Sequence, residues 1–326
     1  MEIDWQMSYD ANIAISQIKT ESTPRRRSMN TPFAIRHSPF AIPVGVFDSG
    51  VGGLSVTREI MALLPAQPII YLADQAHAPY GQRPLTEIRA LSEGIARFLL
   101  AEGAGVIVIA CNTASAAALH GLREQFPGAR FVGMEPAVKP AVEHTRTGHV
   151  GVIATAATFQ GELFASLLDR YAGRVAIHTQ ICPELAPLVE AGELDSPRAR
   201  GAVAQYLAPL LAAGIDQLVL GCTHYPFLRP LIEEMAGTDV SVIDPAPAVA
   251  RQTSRVLAQH DLLAGNAASA AHTSGNEDQR RSQPAHQFYT TGNPVRFQHA
   301  LRDLLGVTTD VRQAAWQQDN RLLPAR

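Results

Sequence analysis

Apolar residues along this chain fall into two alternating patterns. Short unbroken runs, Val44 to Phe47, Pro68 to Leu72, Val106 to Ala110, Val150 to Ala154 and Gln217 to Leu220, have the length of buried strands. The longer segments between them read as helices. In Thr86 to Leu100 the apolar positions Ile88, Leu91, Ile95, Phe98 and Leu99 share one helical face, which predicts a helix packed on a sheet. Strands separated in this way by helices predict parallel pairing through right-handed crossovers, with helices on both faces, hence an α/β fold.

The pattern fails in two places. Residues 1–42 are polar and interrupted by proline, which predicts a disordered N-terminal extension. Residues 264–287, rich in Ala, Ser, Asn, Gln and His, predict a loop insertion, after which His286 to Thr290 and Val295 to Leu305 predict one more strand and helix. A weak internal repeat is also present. Val44-Gly45-Val46-Phe47-Asp48-Ser49 resembles Val150-Gly151-Val152-Ile153-Ala154-Thr155, and the strand ending at Cys111 resembles the one ending at Cys222, at offsets of 106 and 111 residues. The repeat suggests two similar parallel-sheet α/β domains facing each other across a central cleft.

Composition narrows the function. A chain of 326 residues with 46% hydrophobic content can bury a full core of two domains, and a net charge of -3 leaves no electrostatic footprint for nucleic acid or an anionic membrane. A small-molecule partner fits better. The three cysteines, Cys111, Cys182 and Cys222, are too sparse for a disulfide scaffold, so a reducing cytoplasm is expected. The longest apolar run, around Val106 to Cys111, is far short of the roughly 18 residues of a membrane span. Arg25-Arg26-Arg27 is followed by Pro32, Arg36, His37 and Pro39 rather than by a continuous apolar stretch, so no export signal is expected.

Cys111 and Cys222 carry the chemistry. Each ends a strand and precedes a segment read as a helix, and in open α/β sheets ligands bind at the carboxyl ends of strands. A helix N-terminus after a cysteine favours the thiolate, lowering its pKa from about 8.5. A lone cysteine at a strand end is more often a small buried apolar residue; two in matching positions, beside Asn112, Thr113, Thr223 and His224, shift the balance. His224 can tune Cys222 or cap the next helix. Asp48 can assist the other thiol, and Ser49 with the glycines of Gly50-Val51-Gly52-Gly53 can bind a carboxylate or form an ordinary tight turn. Ser55 stands where the dinucleotide fingerprint needs its third glycine, which disfavours NAD. In Pro79-Tyr80-Gly81 a tyrosine hydroxyl and a backbone amide can hold a substrate carboxylate. Glu190 and Cys182 read by default as a solvated carboxylate and a packed thiol.

Inverting an α-carbon needs one group to remove its proton from one face and another to return a proton to the opposite face. A cysteine with a modestly lowered pKa serves as either base or acid, so two opposed cysteines meet that demand.

Together the motifs Phe47-Asp48-Ser49-Gly50-Val51-Gly52-Gly53-Leu54, Ala78-Pro79-Tyr80-Gly81, Cys111-Asn112-Thr113-Ala114-Ser115 and Gly221-Cys222-Thr223-His224-Tyr225-Pro226 resemble those of the glutamate racemases. The resemblance runs from Val44 to Asp261, with a weaker ending from Phe288 to Leu305. It implies interconversion of L- and D-glutamate without pyridoxal phosphate or metal, supplying D-glutamate for peptidoglycan. It further implies that Cys111, assisted by Asp48, acts on the D-enantiomer and Cys222, assisted by His224, on the L-enantiomer, with Glu190 near the second thiol. Asp48, Ser49, Tyr80, Gly81, Asn112, Thr113, Thr223 and His224 are the implied substrate-binding residues. Breaks near Met134 and Asp244 follow from the same resemblance, giving a first domain of 43–134 plus 244–326 and a second of 135–243. A homodimer and a cell-wall-precursor activator stay open as partners.

The rivals are an aspartate racemase of the same superfamily, a two-lobed amino-acid-binding protein without catalysis, and a zinc site built from Asp48, Cys111, Cys222 and His224. A pyridoxal-phosphate enzyme is disfavoured because the only lysines are Lys19 and Lys139. No cofactor or metal is expected.

Overall fold

The computed structural model describes residues 41–171, 173–264 and 286–325. Residues 1–40 and 265–285, which carry nearly all of the predicted extension and insertion, lie outside the described residues. Ile42, counted in that extension, is held: its carbonyl accepts from Gln67 Nε2 at 2.6 Å.

The first sheet is built on three strands, β1 (Val44–Asp48), β2 (Ile69–Ala73) and β3 (Val106–Ile109), each buried at every position. Their side chains divide with period two. Val44, Val46, Ile69, Tyr71, Val106 and Val108 enter one apolar cluster, and Phe47, Ile70, Leu72, Ile107 and Ile109 the other. A sheet buried on both faces explains why these segments read as unbroken apolar runs. One face is covered by α1 (Leu54–Leu63) and α10 (Ala246–Gln259), the other by α2 (Leu85–Ala101). The five apolar positions predicted for α2 are all buried. Burial of each contributes about 1.5–3 kcal/mol, which is why that stripe fixes the helix on the sheet. Four further strands complete this layer: β4 (Arg130–Val132), β9 (Gln287–Thr290), β10 (Val311–Trp316) and β11 (Leu322–Pro324), in the order β11-β10-β9-β2-β1-β3-β4. Only the β10–β11 pair is antiparallel.

The second sheet holds β5 (His149–Ala154), β6 (Ala176–Ile181), β7 (Gln217–Gly221) and β8 (Ser241–Ile243), all parallel, in the order β6-β5-β7-β8. Val150, Val152 and Val219 pack on α4 (Val138–His144) and α6 (Glu162–Tyr171). Ile153, Leu218 and Leu220 join the same cluster as α8 (Pro197–Ala212) and the first sheet, so one apolar core runs through both lobes. The order β2-β1-β3-β4 is repeated as β6-β5-β7-β8, with β1 matching β5 and β3 matching β7, as the sequence repeat suggests.

Three strands lie where helix was expected. β4 and β8 are three-residue edge strands, too short to carry a period, and β6 is an edge strand whose residues are exposed or half-buried, so it lacks an apolar run. Val295 to Leu305 is two pieces, α11 (Pro294–Ala300), capped by Asn293, and a π-helical turn over Leu301–Leu305. Among the described residues no helix is long and apolar enough to cross a membrane.

Candidate active site

In both sheets the strand order reverses between the first and third strands of the repeat, where α/β sheets open a crevice. Each crevice carries one thiol. Cys111 follows β3 as the N-cap of α3 (Asn112–Gln125), its sulfur accepting from the Ala114 amide at 3.4 Å. Cys222 follows β7. Both line a single cavity of about 550 Å³, with Ser49, Tyr80, Gly81, Asn112, Thr113, Glu190, Thr223 and His224 among its other walls. That volume suits a small metabolite.

The two thiols have different surroundings. Cys111 is 4% exposed, and burial, reinforced by the Asp48 carboxylate, pushes its thiol well above the usual range. The expected lowering by the helix N-terminus is thus overturned, because one weak amide contact does not offset desolvation beside an acid. Asp48 is fully buried at the end of β1; burial raises its pKa, and the His224 charge and the Gly50 amide (3.0 Å to Oδ2) only partly counter this.

Cys222 is followed not by a regular helix but by a turn and the 3₁₀ segment Tyr225–Leu228, ahead of α9 (Arg229–Ala236). Its polar partner is His224, whose Nδ1 lies 3.7 Å from Sγ. His224 Nε2 donates to Glu190 Oε1 at 2.8 Å. Burial disfavours the imidazolium, yet the hydrogen bonds to Cys222 and Glu190 outweigh it and hold His224 well above its ordinary value. Glu190 shows the complementary balance, with burial raising its pKa and the contacts of His224, Val51 and Gln75 lowering it overall. The expected solvated carboxylate is therefore a half-buried, fully hydrogen-bonded link at the end of α7 (Leu185–Glu190).

The glycine-rich turn after β1 does bind a carboxylate, but a protein one: the Val51 amide donates to Glu190 Oε1 at 2.7 Å. A Cβ on Gly50 would overlap Glu190 Oε1, and one on Gly52 would overlap His224 Nδ1, so both positions need glycine. Across the same seam Thr223 Oγ1 donates to Asp48 Oδ1 at 3.3 Å, and Ser55 Oγ to the Thr223 carbonyl at 2.9 Å.

Tyr80 lines the cavity, but its hydroxyl donates to Asp74 Oδ2 at 2.6 Å and is not free to donate to a ligand carboxylate. Asn112 is the opposite case. It is 2% exposed and neither Oδ1 nor Nδ2 has a hydrogen-bond partner, a deficit of about 1–3 kcal/mol for a buried group that a polar ligand would relieve. Thr113 Oγ1 lies 2.9 Å from Thr155 Oγ1, which caps α5 (Ala156–Gln160).

Thr155, Gln75 and Cys182, none of them a site residue by sequence motif, also line the cavity, and Asp74 lies behind Tyr80. For Thr155 the signal was available, since the internal repeat pairs it with Ser49. Cys182 keeps its default reading as a packed thiol, 0% exposed and with its pKa raised by burial. Among the described residues no group of three or more His, Cys, Asp or Glu side chains is arranged to hold a metal ion.

Residues 44–253 match the family model described as Asp/Glu/Hydantoin racemase. A glutamate racemase of Herpetosiphon aurantiacus is 52% identical over 255 residues, 78% of this chain and 94% of the relative. Among solved structures, a glutamate racemase isoform of Bacillus anthracis superposes with a TM-score of 0.72 at 35% identity, covering 83% of this chain and 96% of that one. The Escherichia coli glutamate racemase, in complex with L-glutamate and the activator UDP-MurNAc-Ala, gives 0.70 at 28% identity, covering 87% and 100%. Paired thiols on a repeated α/β frame and these likenesses agree: the chain belongs to the Asp/Glu/Hydantoin racemase family, among its glutamate racemases, and is an isomerase.

Proposed function

We propose that this protein interconverts L- and D-glutamate by two-thiol proton transfer in the cytoplasm, supplying D-glutamate for peptidoglycan. The observation that carries the reading is the placement of one thiol from each half of a repeated fold on one cavity, beside an Asn112 amide with no partner.

In this reading Cys222 meets L-glutamate as the base, its proton passed to His224, whose Nδ1 lies 3.7 Å from its sulfur, and Cys111 as the acid, since burial and Asp48 both disfavour its ionised form. L-glutamate meets the thiolate first. Cys222 Sγ takes the Cα proton, and Cys111 returns its own proton to the opposite face. The turnover leaves Cys111 as thiolate and Cys222 as thiol, the arrangement that D-glutamate requires. Asp48, made more basic by burial, takes the Cys111 proton when the site must be readied for D-glutamate without a preceding turnover. Asn112, Ser49, Thr113, Gly81 and Thr223 hold the carboxylates and the ammonium group. The domains of this reading are 43–134 plus 244–326 and 135–243, which assign each sheet to one domain.

The test is the circular dichroism of L-glutamate incubated with the purified protein, with L-aspartate in parallel and each arm repeated with UDP-MurNAc-Ala. Decay of the glutamate signal to zero is expected. Decay of aspartate alone would overturn the substrate, and full turnover by Cys111→Ser or Cys222→Ser would overturn the mechanism.

A further inference from the structure

Glu190 holds His224, and something must in turn hold Glu190. Its Oε1 is shared by the Val51 amide and His224 Nε2, which leaves Oε2 to a single side-chain donor, Gln75 Nε2, at 3.0 Å. Gln75 comes from the other lobe, two residues past the end of β2. The direction of its amide is determined. Thr290 Oγ1, at the end of β9, accepts from the Gly292 amide at 3.0 Å, so its proton goes to Gln75 Oε1 at 2.9 Å. With Oε1 occupied as acceptor, Nε2 faces the carboxylate, and the reverse orientation would set two oxygens against each other.

An oriented chain therefore crosses the seam: Gly292 N–H donates to Thr290, Thr290 to Gln75 and Gln75 to Glu190, which also accepts from His224, whose other ring nitrogen faces Cys222. We propose that Gln75 is a positioning residue for the Cys222 side of the reaction, fixing Glu190 and through it the imidazole that serves that thiol. The inference rests on the two-thiol reading above. It gives the first lobe a direct part in the acid–base pair of the second, so the Cys222 side is complete only where the lobes touch. On the Cys111 side the assisting acid, Asp48, comes from the same lobe as its thiol and receives one hydrogen bond from the other, from Thr223 Oγ1.

The variants are Gln75→Met, which keeps length and volume but removes both hydrogen bonds, and Thr290→Val, which removes only the upstream donor. A hydrogen bond to a charged group is worth about 1.5–3 kcal/mol, so Gln75→Met should lower kcat/KM roughly tenfold or more, and Thr290→Val less, in the same direction. A merely structural role would stop there. A positioning role also narrows the pH profile of kcat/KM, since Glu190 loses a donor that keeps it ionised and, no longer fixed, aligns less well with His224, which then holds its proton less firmly, with Asp48 and Cys222 still facing the imidazole. The acid limb moves up and the alkaline limb moves down. With glutamate deuterated at Cα, the isotope effect should rise from the L-enantiomer and fall from the D-enantiomer, because transfer at Cys222 becomes the slow step in both directions.

Wild-type pH limbs and isotope effects in Gln75→Met would overturn this inference while leaving the two-thiol mechanism standing, provided Cys222→Ser in the same assay is inactive. An active Cys222→Ser would overturn the mechanism itself.

Discussion

The two thiols occupy equivalent places in two sheets of the same strand order, yet their partners differ in sign. Cys111 faces an acid, Asp48, in a desolvated pocket that keeps its proton on. Cys222 faces an imidazole backed by an acid, and that pair holds the charge, His224 kept protonated and Glu190 ionised. The difference teaches how a repeated fold can serve a reaction with two unlike ends. Symmetry supplies two strand termini that each bring a thiol to one cavity, and asymmetry in the neighbours sets an acid beside one and an imidazole beside the other. The repeat itself marks where the halves diverged, since it pairs Asp48 with Ala154, a position that has no acid at all.

The largest effect expected is from the thiols themselves. Cys111→Ser and Cys222→Ser should each lower racemisation by about 10³-fold or more, consistent with removal of a required acid–base group, measured by circular dichroism on folded protein. The comparison sharpens in deuterium oxide. Cys111→Ser should still exchange the Cα proton of L-glutamate, and Cys222→Ser that of D-glutamate, followed by NMR; exchange of both enantiomers by either variant would break the assignment of faces.

Next come the partners. His224→Asn and Asp48→Asn should each cost on the order of 10²-fold in kcat/KM, within the range for general acid–base groups. Equal energies of the enantiomers force kcat/KM to fall alike in both directions, so the discriminating measurement is the deuterium isotope effect. It should rise from L-glutamate for His224→Asn and from D-glutamate for Asp48→Asn.

Glu190→Gln should be milder, roughly tenfold, as for loss of one charge-assisted hydrogen bond. Its alkaline limb should move to lower pH, because His224 then gives up its proton more readily. An unmoved limb would show that the imidazole does not depend on the carboxylate.

The smallest effect is on stability. Ionised Asp48 is costly where it is buried, so the native state holds its proton above the ordinary pH of about 3.9, and stability falls as pH rises through the folded value. Removing the charge with Asp48→Asn should therefore stabilise the protein at neutral pH, by on the order of 1 kcal/mol or ~2–4 °C in Tm. His224 slopes the same way, its contribution full below about 6.5 and lost as pH rises through its raised folded value. His224→Asn should flatten that part of the curve in denaturant melts across pH.

Much of this was legible in the chain. Strands buried on both faces, such as Val106 to Ile109, announce themselves because no polar residue interrupts them, and α2 because its stripe is complete. The edge strands escaped because β4 and β8 are too brief to show a period and β6 is not buried enough to need one. At the site, Cys111, Cys222 and His224 were recognisable from spacing and residue type. The state of Cys111 was not, since burial, which dominates its pKa, is a property of the packed fold. The Tyr80 hydroxyl was misjudged for a related reason: its acceptor, Asp74, also takes bonds from Thr291 and Trp316, which only the fold brings near. Gln75 gave no signal, because its role is set by what stands on either side of it.

The two glycines of the turn after β1 also govern how this site changes over generations. Neither carries a functional group, yet any side chain at Gly50 lands on Glu190 and any at Gly52 on His224. In a library varied at every position, both columns should return glycine as strictly as the thiol columns return cysteine, for want of room rather than of reactivity. A second mutation cannot readily rescue the first, because shrinking the obstructing partner removes the carboxylate or imidazole that the turn exists to accommodate. Loop and relay are thus inherited together, and drift in one lobe is restrained by side chains that belong to the other.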